Sequence, residues 1–227
     1  MLSHYFLDSP LVFDGDVVNV LVIENQDMLQ GFVRELKTQI EGYDGRFTLS
    51  ENSFEIRIDR SVLLTIDPFS IDLNQRDFIT KLYAKMREDA LGEDEYIRTS
   101  SLLAEIMVRV QEIMNRQPMV LESSEVDLAA LFKSMNVSFS APESMLETLH
   151  DYMDICSEYR GIKLFVFVNL KSYLNNQDML ELYRHLRYVK RNVLLIEHSE
   201  TEHLEGESTR IIDLDLCEID FGKKFIN

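Results

Sequence analysis

Residues 164–168, Leu-Phe-Val-Phe-Val, and 193–196, Val-Leu-Leu-Ile, are continuous apolar runs that stop at Asn169 and Glu197. Runs this short, flanked by helical patterns, predict parallel strands covered on both faces. A third, VVNVLVIEN from Val17, is followed by Met28, Leu29, Phe32, Leu36 and Ile40 near helical spacing, which predicts a helix from Gln26 to about Ile40 over that strand. RFTLSENSFEIRIDR alternates on either side of a turn at Ser50 to Ser53 and predicts a hairpin. HYFLD and LVFDG about Ser9-Pro10 predict a shorter one, and VLLTIDPF predicts another apolar strand, ended by Pro68.

After Pro68 the period changes. Residues from about Asn74 to Leu91 and from about Glu95 to Gln117 read as two long helices separated by GEDE. The second carries Leu103, Ile106, Met107, Val110, Ile113 and Met114 in a near-heptad stripe. An antiparallel helical hairpin is expected, closed by Pro118. A shorter helix is predicted from Asp127 to Met135 and another from about Ser144 to Tyr159, before the strands resume and RIIDLDLCEIDF follows. Strands at both ends of the chain need one another to cover both faces of one sheet. The expectation is an α/β fold whose head, residues 1–66 and 147–227, holds a mostly parallel sheet, interrupted by a helical leg over 67–146.

Composition changes this picture in one respect. The length of 227 residues and the 45% hydrophobic content suffice for a real core, no apolar run approaches the roughly 18 residues of a membrane span, and no export signal is expected. Cys156 and Cys217 lie too far apart for a CxxC pair, so a reducing cytoplasm is the expected setting. The charge is what stands out: 40 acidic against 23 basic residues, net −17. Such a surface repels nucleic acid unless cations are gathered on one face and anions turned away or neutralised by metal. Plain solubility explains it equally simply.

Candidate chemistry is sparse. A nucleotide site at the strand ends needs a glycine-rich phosphate loop. The first strand is followed instead by ENQDMLQG, and Gly222-Lys223-Lys224 lacks both the first glycine and a following Ser or Thr. His198 and His203, with Glu197, Glu200 and Glu202, make an acidic loop whose spacing fits no metal pattern. Glu35-Leu36-Lys37 has nuclease-like letters but reads as a helix-surface ion pair. No Ser, Cys and His set forms a triad. LESSEVD brings Glu122, Glu125 and Asp127 together at a turn, hard oxygen ligands suited to calcium. The same letters make a helix start with Ser124 as N-cap and Asp127 at N3. Arg184, Arg187, Lys190 and Arg191 share a helical repeat, as do Arg34 and Lys37. These are solvated faces unless something independent points to DNA.

The order GDVVNVLVIEN, LLTIDPFSIDLN, EVDLAALFKSMNVSF, IKLFVFVNLKSYLNNQDMLELYRHL and NVLLIEHSE resembles the CRISPR-associated spacer-acquisition ring protein of type II-A systems, over nearly the whole chain. The resemblance implies a homotetrameric ring of α/β heads with an ATPase-like topology and no working phosphate loop, helical legs, and a hole that takes double-stranded DNA from free ends. It implies calcium between head and leg, on Glu122 and Glu125 with Asp127 as a third ligand. It matches Lys133 in LFKSMN to a DNA-lining lysine. It implies a non-catalytic role in CRISPR adaptation beside the integrase complex and the effector nuclease, with no membrane. Arg34, Lys37, Arg184, Arg187, Lys190 and Arg191 join the DNA-binding candidates on charge alone. The rivals are a degenerate ATPase or nuclease using Glu197 and Glu24, and a plain oligomeric scaffold.

Overall fold

The computed structural model describes residues 1–220; Gly222-Lys223-Lys224 lies outside them. The chain divides into two compact units, one made of Met1–Ile71 with the chain from Pro142 onward, the other of Asp72–Ala141. The junctions expected from sequence were 66/67 and 146/147.

The first unit is built on a six-stranded sheet. Its strands are β2 (Val18–Ile23), β5 (Val62–Thr65), β6 (Leu164–Val168), β7 (Asn192–Glu197), β8 (Glu207–Ile212) and β9 (Glu218–Asp220), in the order β5-β6-β7-β2-β8-β9. All neighbouring pairs are parallel except β8 with β9, which closes one edge as an antiparallel hairpin. This is the mixed, mostly parallel α/β sheet expected from the apolar runs.

Alternation along these strands makes two apolar layers. Leu21, Ile23, Val166, Val168, Leu194 and Ile196 join one cluster with Met28, Phe32 and Leu36 of helix α1 (Gln26–Ile40), which recur at four-residue spacing. The intervening residues, Phe165, Phe167, Val193 and Leu195, are equally buried. On their side lies α7 (Asn176–Tyr188), since its Tyr183 reaches Glu207 across the sheet, and α6 (Met145–Arg160) packs on α7. Helix starts follow side-chain capping: Asn25 accepts from the Met28 amide and Ser144 from that of Glu147, and α6 ends on Gly161 in the left-handed region.

A small antiparallel sheet, β1 (Leu2–Ser3), β3 (Thr48–Glu51) and β4 (Phe54–Ile56), joins the α1 layer, and the four-residue helix α2 (Ile58–Ser61) leads into β5. The hairpin turn is Asn52-Ser53, both at positive φ, which keeps the β3 register two residues longer than the expected turn at Ser50. The expected hairpin about Ser9-Pro10 reduces to a single bridge between Leu2 and Leu11.

The second unit is helical: α3 (Arg76–Ala90), α4 (Tyr96–Met114) and α5 (Leu128–Ser134). The two long helices form where predicted, but α3 packs against α5, and α4 buries none of its residues. The expected α3–α4 seam is therefore not a buried one: Ile106, Met107, Val110 and Ile113 stay exposed. No helix among the described residues is long and apolar enough to cross a membrane.

Phe32 is fully buried between α1 and the sheet, whereas Phe54 is 76% exposed at the hairpin. Phe32→Ala is expected to cost about 3–5 kcal/mol in a denaturant titration, and Phe54→Ala to stay within about 0.5 kcal/mol of the parent.

Candidate functional site

In open α/β sheets a ligand binds beyond the strand carboxyl ends. Here the strand ends are linked by the protein's own polar groups. Asn169 ends β6 in the left-handed region (φ 55°); its N–H donates to Ile196 O at 2.8 Å and its side-chain oxygen accepts from the His198 N–H at 3.1 Å. The chain then makes a single 3-10 turn, Leu170–Ser172. Glu197, 2% exposed, accepts the Lys171 N–H at 3.1 Å. Burial pushes its carboxyl up to about 7, against the opposing pull of the Lys171 and Leu170 amides and the Lys171 charge.

The Lys171 side chain continues under α7 to a second buried carboxylate, Glu207, at 2.8 Å. Glu207 also accepts from Tyr183 Oη at 2.8 Å and Thr209 Oγ1 at 3.2 Å, and burial raises the tyrosine hydroxyl. At the end of β2, the α1 N-terminus that would cradle a phosphate is capped by Asn25 at 3.0 Å, and the Glu24 N–H donates to Ile212 O. Of the two carboxylates of the enzymatic rival, Glu197 accepts from the Lys171 backbone, and Glu24 is tied to β8 through its own N–H.

Glu122, Glu125 and Asp127 lie exposed on an irregular segment. Asp127, not Ser124, is the N-cap of α5, accepting from the Ala129 N–H at 3.1 Å. The helix begins later than LESSEVD predicted, so Asp127 occupies the cap position itself. One oxygen of Asp127 is engaged in this cap, and Glu122 and Glu125 stand exposed on the same irregular segment. The loop histidines are held locally, His198 by Asn169 at 3.2 Å and His203 by Glu200 at 3.0 Å.

The cations separate into two kinds. Arg191 is tied to α6 through Met153 O at 2.7 Å, Asp154 at 2.8 Å and Ser157. Lys190 pairs with Asp16, and Lys37 with Glu41 at 3.9 Å. Arg187 is half-buried, its guanidinium packed over Gly206. The stretch from Arg184 to Arg191 is thus not one free cationic face, because the last two cations lie past the end of α7 and are engaged elsewhere.

Arg34, Arg184 and Lys133 are of the other kind, exposed and without an ion pair among the described residues. Nor does Glu35 pair with Lys37. It binds the Arg46 guanidinium through two contacts at 2.9 and 2.6 Å, which hold its carboxyl down to about 2.

Lys133 lines a groove of about 610 Å³ on the helical unit, together with Arg76, Thr80, Asn136 and Ser138. Arg76 is the residue that sequence reasoning missed. Its one signal is position, at the first turn of a helix whose N-cap, Gln75, makes no side-chain cap bond.

The sequence model of the CRISPR-associated protein (Cas_Csn2) family matches residues 39–216. The chain belongs to this family. It is the type II-A family to which the sequence resemblance pointed. The fold is also that of the crystal structure of Stu0660 of Streptococcus thermophilus, at a TM-score of 0.50 and 12% identity over 88% of this chain and 70% of that one. For a Cas_Csn2 chain the matched span includes Lys133 and the Arg184 to Arg191 stretch and leaves Arg34 and Lys37 outside.

The raised Glu197 carboxyl means that the folded state holds its proton more tightly than the unfolded chain, where the group titrates near 4.5. Its ionisation therefore destabilises the fold as pH rises from about 4.5 to 7, and the deficit persists above. Glu197→Gln removes it. Between pH 4.5 and 8 the stability of the variant relative to the parent should shift in the variant's favour by on the order of 3 kcal/mol, read from paired denaturant titrations.

Proposed function

We propose that this CRISPR-associated chain is a non-catalytic, double-stranded DNA-binding protein of CRISPR adaptation that works as a homotetrameric ring taken onto DNA at free ends. The observation that carries the DNA reading is that exposed cations, Lys133, Arg34 and Arg184 among them, stand without an ion pair among the described residues in a chain of net charge −17. An assembly that turns such residues inward and its anions outward gives a basic path through an acidic protein.

What supports the non-catalytic part is that Asn169, Glu197 and Asn25 at the strand ends are engaged with neighbouring backbone N–H groups. The uncovered apolar residues of α4 support self-assembly, since a second copy can cover them. In this reading the integrase complex and the effector nuclease are its partners. Calcium would be held by Glu122 and Glu125, with Asp127 as a third ligand.

A gel shift of linear against covalently closed circular duplex tests the ring, because a closed ring cannot load on DNA without ends. Linear DNA is expected to bind in a sequence-independent manner, with affinity falling steeply as salt rises, and circles to bind poorly. Equal affinity for both overturns threading, and a flat salt response removes DNA binding. No nucleotide hydrolysis is expected; turnover abolished by Glu197→Gln would replace this reading with the enzymatic one.

Calcium is tested by melting temperature. If the ion binds through Glu122 and Glu125, it raises Tm in the parent and not in the Glu122→Ala/Glu125→Ala protein.

A further inference from the structure

The groove on the helical unit differs from the rest of this acidic chain in having no carboxylate among its lining residues. Its two cations, Arg76 and Lys133, make no ion pair among the described residues. Three other cations of the same unit are matched on their own helices, Lys81 by Asp77 at 3.9 Å, Lys85 by Asp89 at 3.5 Å and Arg109 by Glu112 at 2.7 Å, while Arg87, Arg98 and Arg116 are exposed but do not line the groove. Two positive side chains from separate helices, 57 positions apart in sequence, therefore face one cleft with nothing negative lining it.

The walls are braced. Asn74 holds the backbone of Phe139 through two hydrogen bonds, donating to Phe139 O at 3.1 Å and accepting the Phe139 N–H at 2.9 Å. Tyr83 Oη donates to Val137 O at 2.9 Å. The segment after α5 is thus pinned to α3, and Asn136, at φ 53°, turns the chain between Lys133 and that segment. Asn136, Ser138 and Thr80 add neutral polar side chains along the cleft, and Ile79 and Val137 give it an apolar part. Cations with neutral donors on a braced wall suit the oxygens of a phosphodiester chain, with the apolar part against the sugars.

We infer that this groove seats the phosphate backbone of one DNA strand, with Lys133 and Arg76 as paired phosphate contacts. The inference rests on the DNA-binding reading and adds Arg76, the place and the part of the duplex that is held. Backbone contacts of this kind carry no base information, so they weaken all sequences alike when lost.

The test uses the full-length protein with Arg76→Gln, Lys133→Gln and the double variant. Both side chains are exposed, so the fold should tolerate the changes, and a thermal melt checks that it does. Fluorescence anisotropy with a linear duplex over a salt series should show each single variant flattening the log–log slope by about 0.9, and the double by about twice that. Over a fourfold range of salt, each lost contact then changes the relative affinity by about 3.5-fold. Lys85→Gln, whose lysine lies outside the groove and is already paired, should leave the slope unchanged.

If the parent binds duplex and Arg76→Gln keeps its slope, the groove is not the seat although the DNA reading stands. A parent that binds no duplex at any salt overturns both. Competition by inorganic phosphate or ATP, at matched ionic strength and at concentrations comparable with the duplex, would show a free-phosphate site and overturn the backbone assignment; the expected result is no competition.

Discussion

Strands β6, β7 and β2 carry buried side chains on both faces, and nearly everything else in the first unit follows from having to cover both. A parallel neighbour needs a crossover, so α1 lies over one layer and α7 over the other, with α6 beside it. The unit draws strands from both ends of the chain, and the central residues leave after Ile71 and return at Pro142. Neither terminal portion covers both faces alone. The helical unit is in this sense a long excursion between β5 and β6.

Covering both faces also buries whatever polar group the strands carry. Glu197 and Glu207 lie under α7, and the protein meets the cost of their burial with Lys171, Tyr183, Thr209 and two backbone N–H groups. Lys171 links them, its amide on one carboxylate and its ammonium on the other. At Glu197 burial outweighs these partners, so its carboxyl is raised to about 7 instead of ionising as a surface acid would. The strand ends are thereby tied together by polar side chains and backbone groups of the fold itself.

The charge then acquires a geometric meaning. Many cations of this acidic chain are matched to a nearby carboxylate, and Arg46 and Arg191 are held into the structure of the first unit. Arg34, Arg184, Lys133 and Arg76 are among those that lack such a match, and of these Arg76 and Lys133 line one groove, a property of packing and not of residue type. An anionic surface elsewhere keeps nonspecific association low, and local cations determine where an anionic polymer can rest.

Short-range order was legible without coordinates. The apolar runs marked β2, β5, β6 and β7, and the 3.6-residue period marked α1, because each depends only on neighbours within a few positions. Some local choices were ambiguous even so: Asp127 rather than Ser124 caps α5, both being good N-cap residues three positions apart. What only the tertiary structure decided is who meets whom. Glu35 turned from Lys37 to Arg46, the apolar stripe of α4 stayed uncovered, and Arg76 came to share a cleft with Lys133. Such pairings depend on the path of the chain between distant residues, and a linear pattern of polar and apolar letters does not encode that path one contact at a time.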